Sequence, residues 1–292
     1  MDQKLITNEL RDNLPGLRDQ DVARIEAMWV RAAPFLDANF RSALPAQFHQ
    51  RVWELYLASA LVEQGAEITP RRELPEEGPD FRIQTKNGPL WIEAIAPTSG
   101  TGEDAVPENP VTSPPTAYSV PGEQVKLRYT AALREKLRKH QDYLAKGVVE
   151  ADPFVIALSA SNVRSGKSEA LTPRILQTLF GIGNHSVVLD ISGEEPRVIA
   201  EGPTEQRSIR KQSGASVTSR VFLGHEYTPV SGALFSYADP WNYPQRAGAD
   251  FIFAHNPLAS SPLPAGWLQV GREYRCEEHT DGWELRLIQH ND

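Results

Sequence analysis

Gly78-Pro79-Asp80-Phe81-Arg82-Ile83-Gln84-Thr85-Lys86-Asn87-Gly88-Pro89-Leu90-Trp91-Ile92-Glu93-Ala94-Ile95-Ala96-Pro97 is the stretch on which the fold of this chain turns. Two short runs, Asp80 to Ile83 and Leu90 to Ala96, read as strands joined by a hairpin-type turn at Lys86-Asn87-Gly88. A carboxylate opens the first strand. A second, Glu93, sits in the middle of the otherwise apolar second strand. Acids are rarely buried without a partner, so both positions call for a physical reason.

Working outward, Ala46 to Gln64 is strongly helical and stops at Gly65, with Phe48, Val52, Leu55, Tyr56, Ala60 and Leu61 as its apolar face. Ala66 to Thr69 is a short strand candidate before Pro70. Residues 1–45 read as a mostly helical appendage, in which Val22, Ile25, Met28 and Trp29 recur at helical spacing and Asp19 or Asp21 is the expected N-cap. On the other side, residues 98–121 hold five prolines and form a long irregular loop. A second helix is expected from Gly122 to Leu144, then a buried parallel strand at Phe154 to Leu158.

Helix, three strands, helix, strand makes a crossover unit. The predicted class is therefore α/β, a mixed central sheet flanked by helices. Beyond residue 160 the strand candidates are Ser186–Ile191, Arg197–Ala200, Ala215–Phe222, Val230–Ser236 and Phe251–Ala254, with a tail hairpin from Glu273 to Leu287 across Asp281-Gly282. The expected organisation is a helical appendage at 1–45, a core at 46–160 and a strand-rich extension at 161–292 packed on that core.

The 292 residues, 40% hydrophobic and 23% charged, have ordinary globular composition. No run is long and apolar enough for a membrane helix, and Met1-Asp2-Gln3-Lys4-Leu5 lacks the order of a signal peptide. The lone Cys276 forms no internal disulfide and no cysteine zinc cluster. A cytoplasmic protein is expected. The net charge of −8 argues against non-specific coating of nucleic acid, although an acidic metal site beside a local basic patch is compatible with it.

Three acids stand out: Glu54 on the first core helix, Asp80 and Glu93. Two carboxylates on neighbouring strands make an oxygen-rich site suited to Mg²⁺, which can activate water and stabilise a phosphodiester under attack. Each acid also has a purely structural explanation: Glu54 pairing with Arg51, Asp80 capping a turn, Glu93 meeting a buried arginine.

In element order and acid placement the chain resembles the restriction-endonuclease-like PD-(D/E)XK nuclease superfamily over about residues 46–97, with the helix and strand at 122–158 completing that core. The resemblance implies that Asp80 and Glu93 bind Mg²⁺ or Mn²⁺, that Glu54 assists, and that the substrate is DNA or RNA. One departure is plain. The lysine of the motif falls at Ile95, on the same strand face as Glu93. The candidates to replace it are Lys126 and Lys136 on the second core helix, with Lys126 preferred for its flanking Gln124 and Arg128.

Two basic clusters are candidate phosphate contacts: Lys126, Arg128, Arg134, Lys136, Arg138 and Lys139, and Arg207, Arg210, Lys211 and Arg220. A solvated helix face is the structural explanation of the first. No dinucleotide or Walker-type loop, helical His pair or nucleophile elbow is present, and His255 reads as a turn or core residue. The expected function is metal-dependent phosphodiester hydrolysis. The alternative is a catalytically degenerate nucleic-acid-binding or interaction protein of the same fold. A sugar hydrolase using the paired carboxylates is a third class.

Overall fold

The computed structural model describes residues 4–12, 14, 16–108, 119–193, 195–280 and 282–288. Of the long loop expected at 98–121, residues 109–118 lie outside the described residues, as does Asp281 of the tail hairpin. The helices are α1 (Asn8–Asp12), α2 (Asp19–Ala32), α3 (Phe40–Ala43), α4 (Phe48–Glu63), α5 (Gly122–Ala145) and α6 (Arg174–Phe180). The strands are β1 (Glu67–Ile68), β2 (Phe81–Thr85), β3 (Gly88–Ile95), β4 (Phe154–Ser159), β5 (Ile182–Asp190), β6 (Arg197–Glu205), β7 (Ser208–Arg210), β8 (Ser216–Thr218), β9 (Gly232–Ser236), β10 (Ile252–His255), β11 (Arg272–His279) and β12 (Gly282–Ile288).

Eight strands form one mixed sheet in the order β1-β2-β3-β4-β9-β10-β11-β12. β1, β2 and β3 are antiparallel, as a tight β2–β3 hairpin requires, and Thr85 faces Gly88 across the turn. α5 then carries the chain back so that β4 lies parallel to β3, and β9 lies parallel to β4. The strand-rich C-terminal part therefore continues the sheet of residues 46–160: β9 and β10 are antiparallel, β10 and β11 parallel, β11 and β12 antiparallel.

Strand alternation sorts the core onto two faces. Leu90, Ile92 and Ala94 of β3 pack with Leu55 and Ala58 of α4, and α2 joins that layer through Ile25 and Met28. Trp91 and Ile95 pack with Val125, Tyr129, Leu133 and Leu137 of α5. The indole of Trp53 on α4 donates to the Ala157 carbonyl of β4 at 3.0 Å, which pins the helix to the sheet. Glu93 shares the α5 face of Trp91 and Ile95, and that single consequence of the pleat positions the site.

Three local readings change. α2 is capped by Arg18 rather than by Asp19 or Asp21. Asp21 sits one turn in and its carboxylate accepts from the Arg18 backbone at 3.0 Å and its guanidinium at 2.8 Å. The strand expected over Ala215–Phe222 shrinks to β8, because the backbone N–H of Ser219 turns to Arg207 and Val221–Leu223 winds into a 3₁₀ turn. α6 was not legible: all seven of its residues are buried, so no amphipathic period marks it. Its stop is a left-handed Gly181 at φ 70°.

Gly232 of β9 pairs with His255 of β10 where a side chain has no room. A Cβ there would run into the Phe253 ring and lie 2.8 Å from the Ala254 carbonyl. Gly232→Ala is expected to lower stability by about 1–3 kcal/mol, read as a lowered urea midpoint with an unchanged slope.

Candidate functional site

The site lies where the edge of the sheet falls short. β2 begins at Phe81, opposite Ile92, while β3 runs on to Ile95. The outer backbone groups of β3 beyond Ile92 thus lack a strand partner and would be orphaned. Side chains complete the ladder instead. The Asp80 carboxylate accepts from the Ala94 N–H at 2.7 Å. Gln50 of α4 accepts from the Ala96 N–H at 2.7 Å and donates to the Ala94 carbonyl at 3.2 Å.

Glu54, one turn along α4 from Gln50, is drawn into the same place. Its oxygens accept from Gln50 at 2.9 Å and from Arg51 at 2.8 Å. Arg51 in turn meets Asp37 at 3.3 Å, and Arg71 holds Asp37 at 2.6 Å. The structural partner foreseen for Glu54 is therefore present.

Glu93 is fully buried, and α5 answers its charge. Lys136 and Lys139 both donate to Oε1, at 2.9 and 2.6 Å, and the Tyr143 hydroxyl lies 3.3 Å from Oε2. The partners are lysines rather than an arginine. Residues 136, 139 and 143 fall on one helix face at i, i+3 and i+7, a spacing visible in the sequence and not recognised there for Lys139 and Tyr143. Lys136 is nearly buried, whereas the Lys139 side chain is 46% exposed.

Lys126, the preferred replacement for the motif lysine, does not reach the acids. It lies about 15 Å along α5 from Lys136, and its ammonium bonds to Gln177 at 3.2 Å and to Gln206. Of the same cluster, Lys136 and Lys139 turn to Glu93, whereas Arg128 is held by the Thr98 carbonyl at 3.1 Å. In the second cluster Arg207 and Arg220 both pair with Glu205. His255, read as a turn or core residue, lies buried at the end of β10 and paired with Glu273.

In front of the acids lies a cleft of about 570 Å³. Glu54 and Asp80 share it with Arg51, Arg71, Lys136, Lys139, Tyr143 and Lys146. Asp80 is half-buried as a residue, but its carboxylate is desolvated, and burial pushes its pKa well above the ordinary value near 3.8. The charges of Glu93 and Glu54 push the same way, while Lys136 and the Ala94 N–H oppose them. Burial likewise raises Glu54 against the pull of Arg51. His140, stacked on Phe154 at 3.9 Å, is lowered by burial to about 4 and is neutral at physiological pH.

No group of three or more His, Cys, Asp or Glu side chains among the described residues is arranged to hold a metal ion. The donor chemistry accounts for this. The Glu93 and Glu54 carboxylates are engaged by cations and amides of the chain itself, and as arranged they do not fit a divalent cation. No helix among the described residues is long and apolar enough to cross a membrane. No model of a known family matches the chain, and neither a curated protein nor a solved structure does.

Two outcomes follow from this geometry. Glu93→Ala leaves Lys136 buried with its partner gone and is expected to cost about 3–5 kcal/mol in chemical denaturation. Asp80 binds its proton more tightly in the fold than in the unfolded chain, so its contribution to stability falls as pH climbs above about 4. Asp80→Asn keeps an acceptor for Ala94 and removes the charge. Its stability relative to wild type should therefore improve between pH 4 and pH 8, measured by urea midpoints at both ends.

Proposed function

We propose that this chain is a nucleic-acid-binding protein on a restriction-endonuclease-like frame, with its acidic site closed by internal ion pairs. The order α4, β1, β2, β3, α5, β4 supports the frame, with its three antiparallel strands and parallel fourth. One observation carries the functional half. Glu54 and Asp80 line a cleft with Lys136 and Lys139, and behind it the buried Glu93, a carboxylate expected to hold a metal, is already neutralised by those two ammoniums. The exposed Lys146 lines the same cleft and supplies a cationic group that contacts a nucleic-acid strand. The exposed Lys146–Glu77 pair is weak enough to give way to a phosphate.

A second reading, metal-dependent phosphodiester hydrolysis, is favoured by the position of Lys136. It brings an ammonium to the second acid of the motif, where the strand offers only Ile95. Mg²⁺ or Mn²⁺ would then engage Asp80 and Glu93, which requires the Glu93 ion pairs to open.

Fluorescence anisotropy with labelled single-stranded DNA, duplex DNA and RNA in EDTA tests the first reading. Binding that weakens with salt and falls several-fold in Lys146→Glu is expected. Absence of binding to all three at low salt would sink it. Cleavage of the same strands on adding Mn²⁺, abolished by Lys136→Ala, would establish the second reading.

A further inference from the structure

We propose that Lys139 is a built-in counter-ion that occupies the cation position at Glu93 and keeps divalent metal out of the cleft. The inference rests on the reading above only in taking Asp80 and Glu93 as the ion-holding pair.

Charge balance is the first ground. The inner cluster sets Glu54, Asp80 and Glu93 against Arg51, Lys136 and Lys139, and Asp37 against Arg71. With every group ionised it is already neutral. A divalent cation would meet an inner cluster whose own charges already balance, whereas without Lys139 that cluster carries one uncompensated carboxylate.

Lone-pair geometry is the second ground. A carboxylate oxygen offers about two acceptor directions, and Oε1 of Glu93 uses them on Lys136 and Lys139. Tyr143 takes a direction on Oε2. A metal ion approaching Oε1 must therefore displace an ammonium.

Exposure identifies which one moves. Lys136 is walled in, with a side chain only 10% exposed, and withdrawing it would strand a charge in the interior. Lys139 reaches Glu93 from the rim over the Tyr143 ring, at 5.6 Å from its centroid, and can swing into water. The buried lysine is thus a fixed partner of Glu93 and the rim lysine an exchangeable one. Loss of the Lys139 charge, by substitution or by acylation of its exposed amine, converts the cleft from a self-neutralised site into one that recruits metal.

Mn²⁺ titration calorimetry on the full chain tests this. Lys139→Met is expected to bind Mn²⁺ at least about tenfold more tightly than wild type, with Lys139→Gln behaving alike and Lys139→Arg retaining the wild-type response. Adding Asp80→Asn and Glu93→Gln to Lys139→Met should remove the gain. Equal Mn²⁺ binding by wild type and both uncharged variants, including none by any of them, would overturn the proposal. So would a gain that survives removal of the two acids. Far-UV circular dichroism verifies the fold of each variant. Strand binding in EDTA on the same preparations reports separately on nucleic-acid recognition, so either result can fail without the other.

Discussion

A carboxylate with no solvent exposure, in the middle of a strand buried on both faces, sets the terms for the rest of the structure. Glu93 cannot be left alone there, because an uncompensated charge in that environment costs several kcal/mol. Its compensation comes from a helix more than forty residues on, so the sheet and α5 must meet in one register. The two-turn face that carries Lys136, Lys139 and Tyr143 does this while Leu133 and Leu137 of the same helix pack on the sheet beside it. One helix therefore supplies both the apolar seal and the countercharge.

The second constraint is a sheet edge that stops early. Because β2 begins opposite Ile92, the outer edge of β3 beyond that residue finds its partners in Asp80 and Gln50 rather than in another strand. The same gap opens the cleft. The groups that complete the ladder, Gln50 and Asp80, are also ones that line the cleft. Asp80 illustrates the cost of that arrangement. It is held desolvated near two other acids, and burial pushes its pKa up while it completes the edge of β3.

How much of this was legible differs from residue to residue. Glu54, Asp80 and Glu93 could be singled out because each is an acid at a position the local period marks as buried. The order of α4, β1, β2, β3, α5 and β4 followed from the same periods and from the turn at Lys86-Asn87. The preference for Lys126 over Lys136 failed because it weighed sequence neighbours. What matters is which helix face meets Glu93, and Lys126 lies nearly three turns away beside Gln177 and Gln206. The seven buried residues of α6 carried no alternation to read, and the Arg18 cap depends on a guanidinium folding back onto Asp21.

The first four strands, the two long helices, the inward face of Glu93 and Ile95, and three acids in that order could all be read from the sequence. Those are consequences of 2.0 and 3.6 residue repeats, which act over a few neighbours and leave their trace in the letters. The pairing of Lys136 and Lys139 with Glu93, the completion of the β3 edge by Gln50 and Asp80, and the extension of the same sheet by β9 to β12 came from the three-dimensional packing. Each of those contacts is fixed by where a crossover or a strand end sets its residues in space, and no local period encodes that placement.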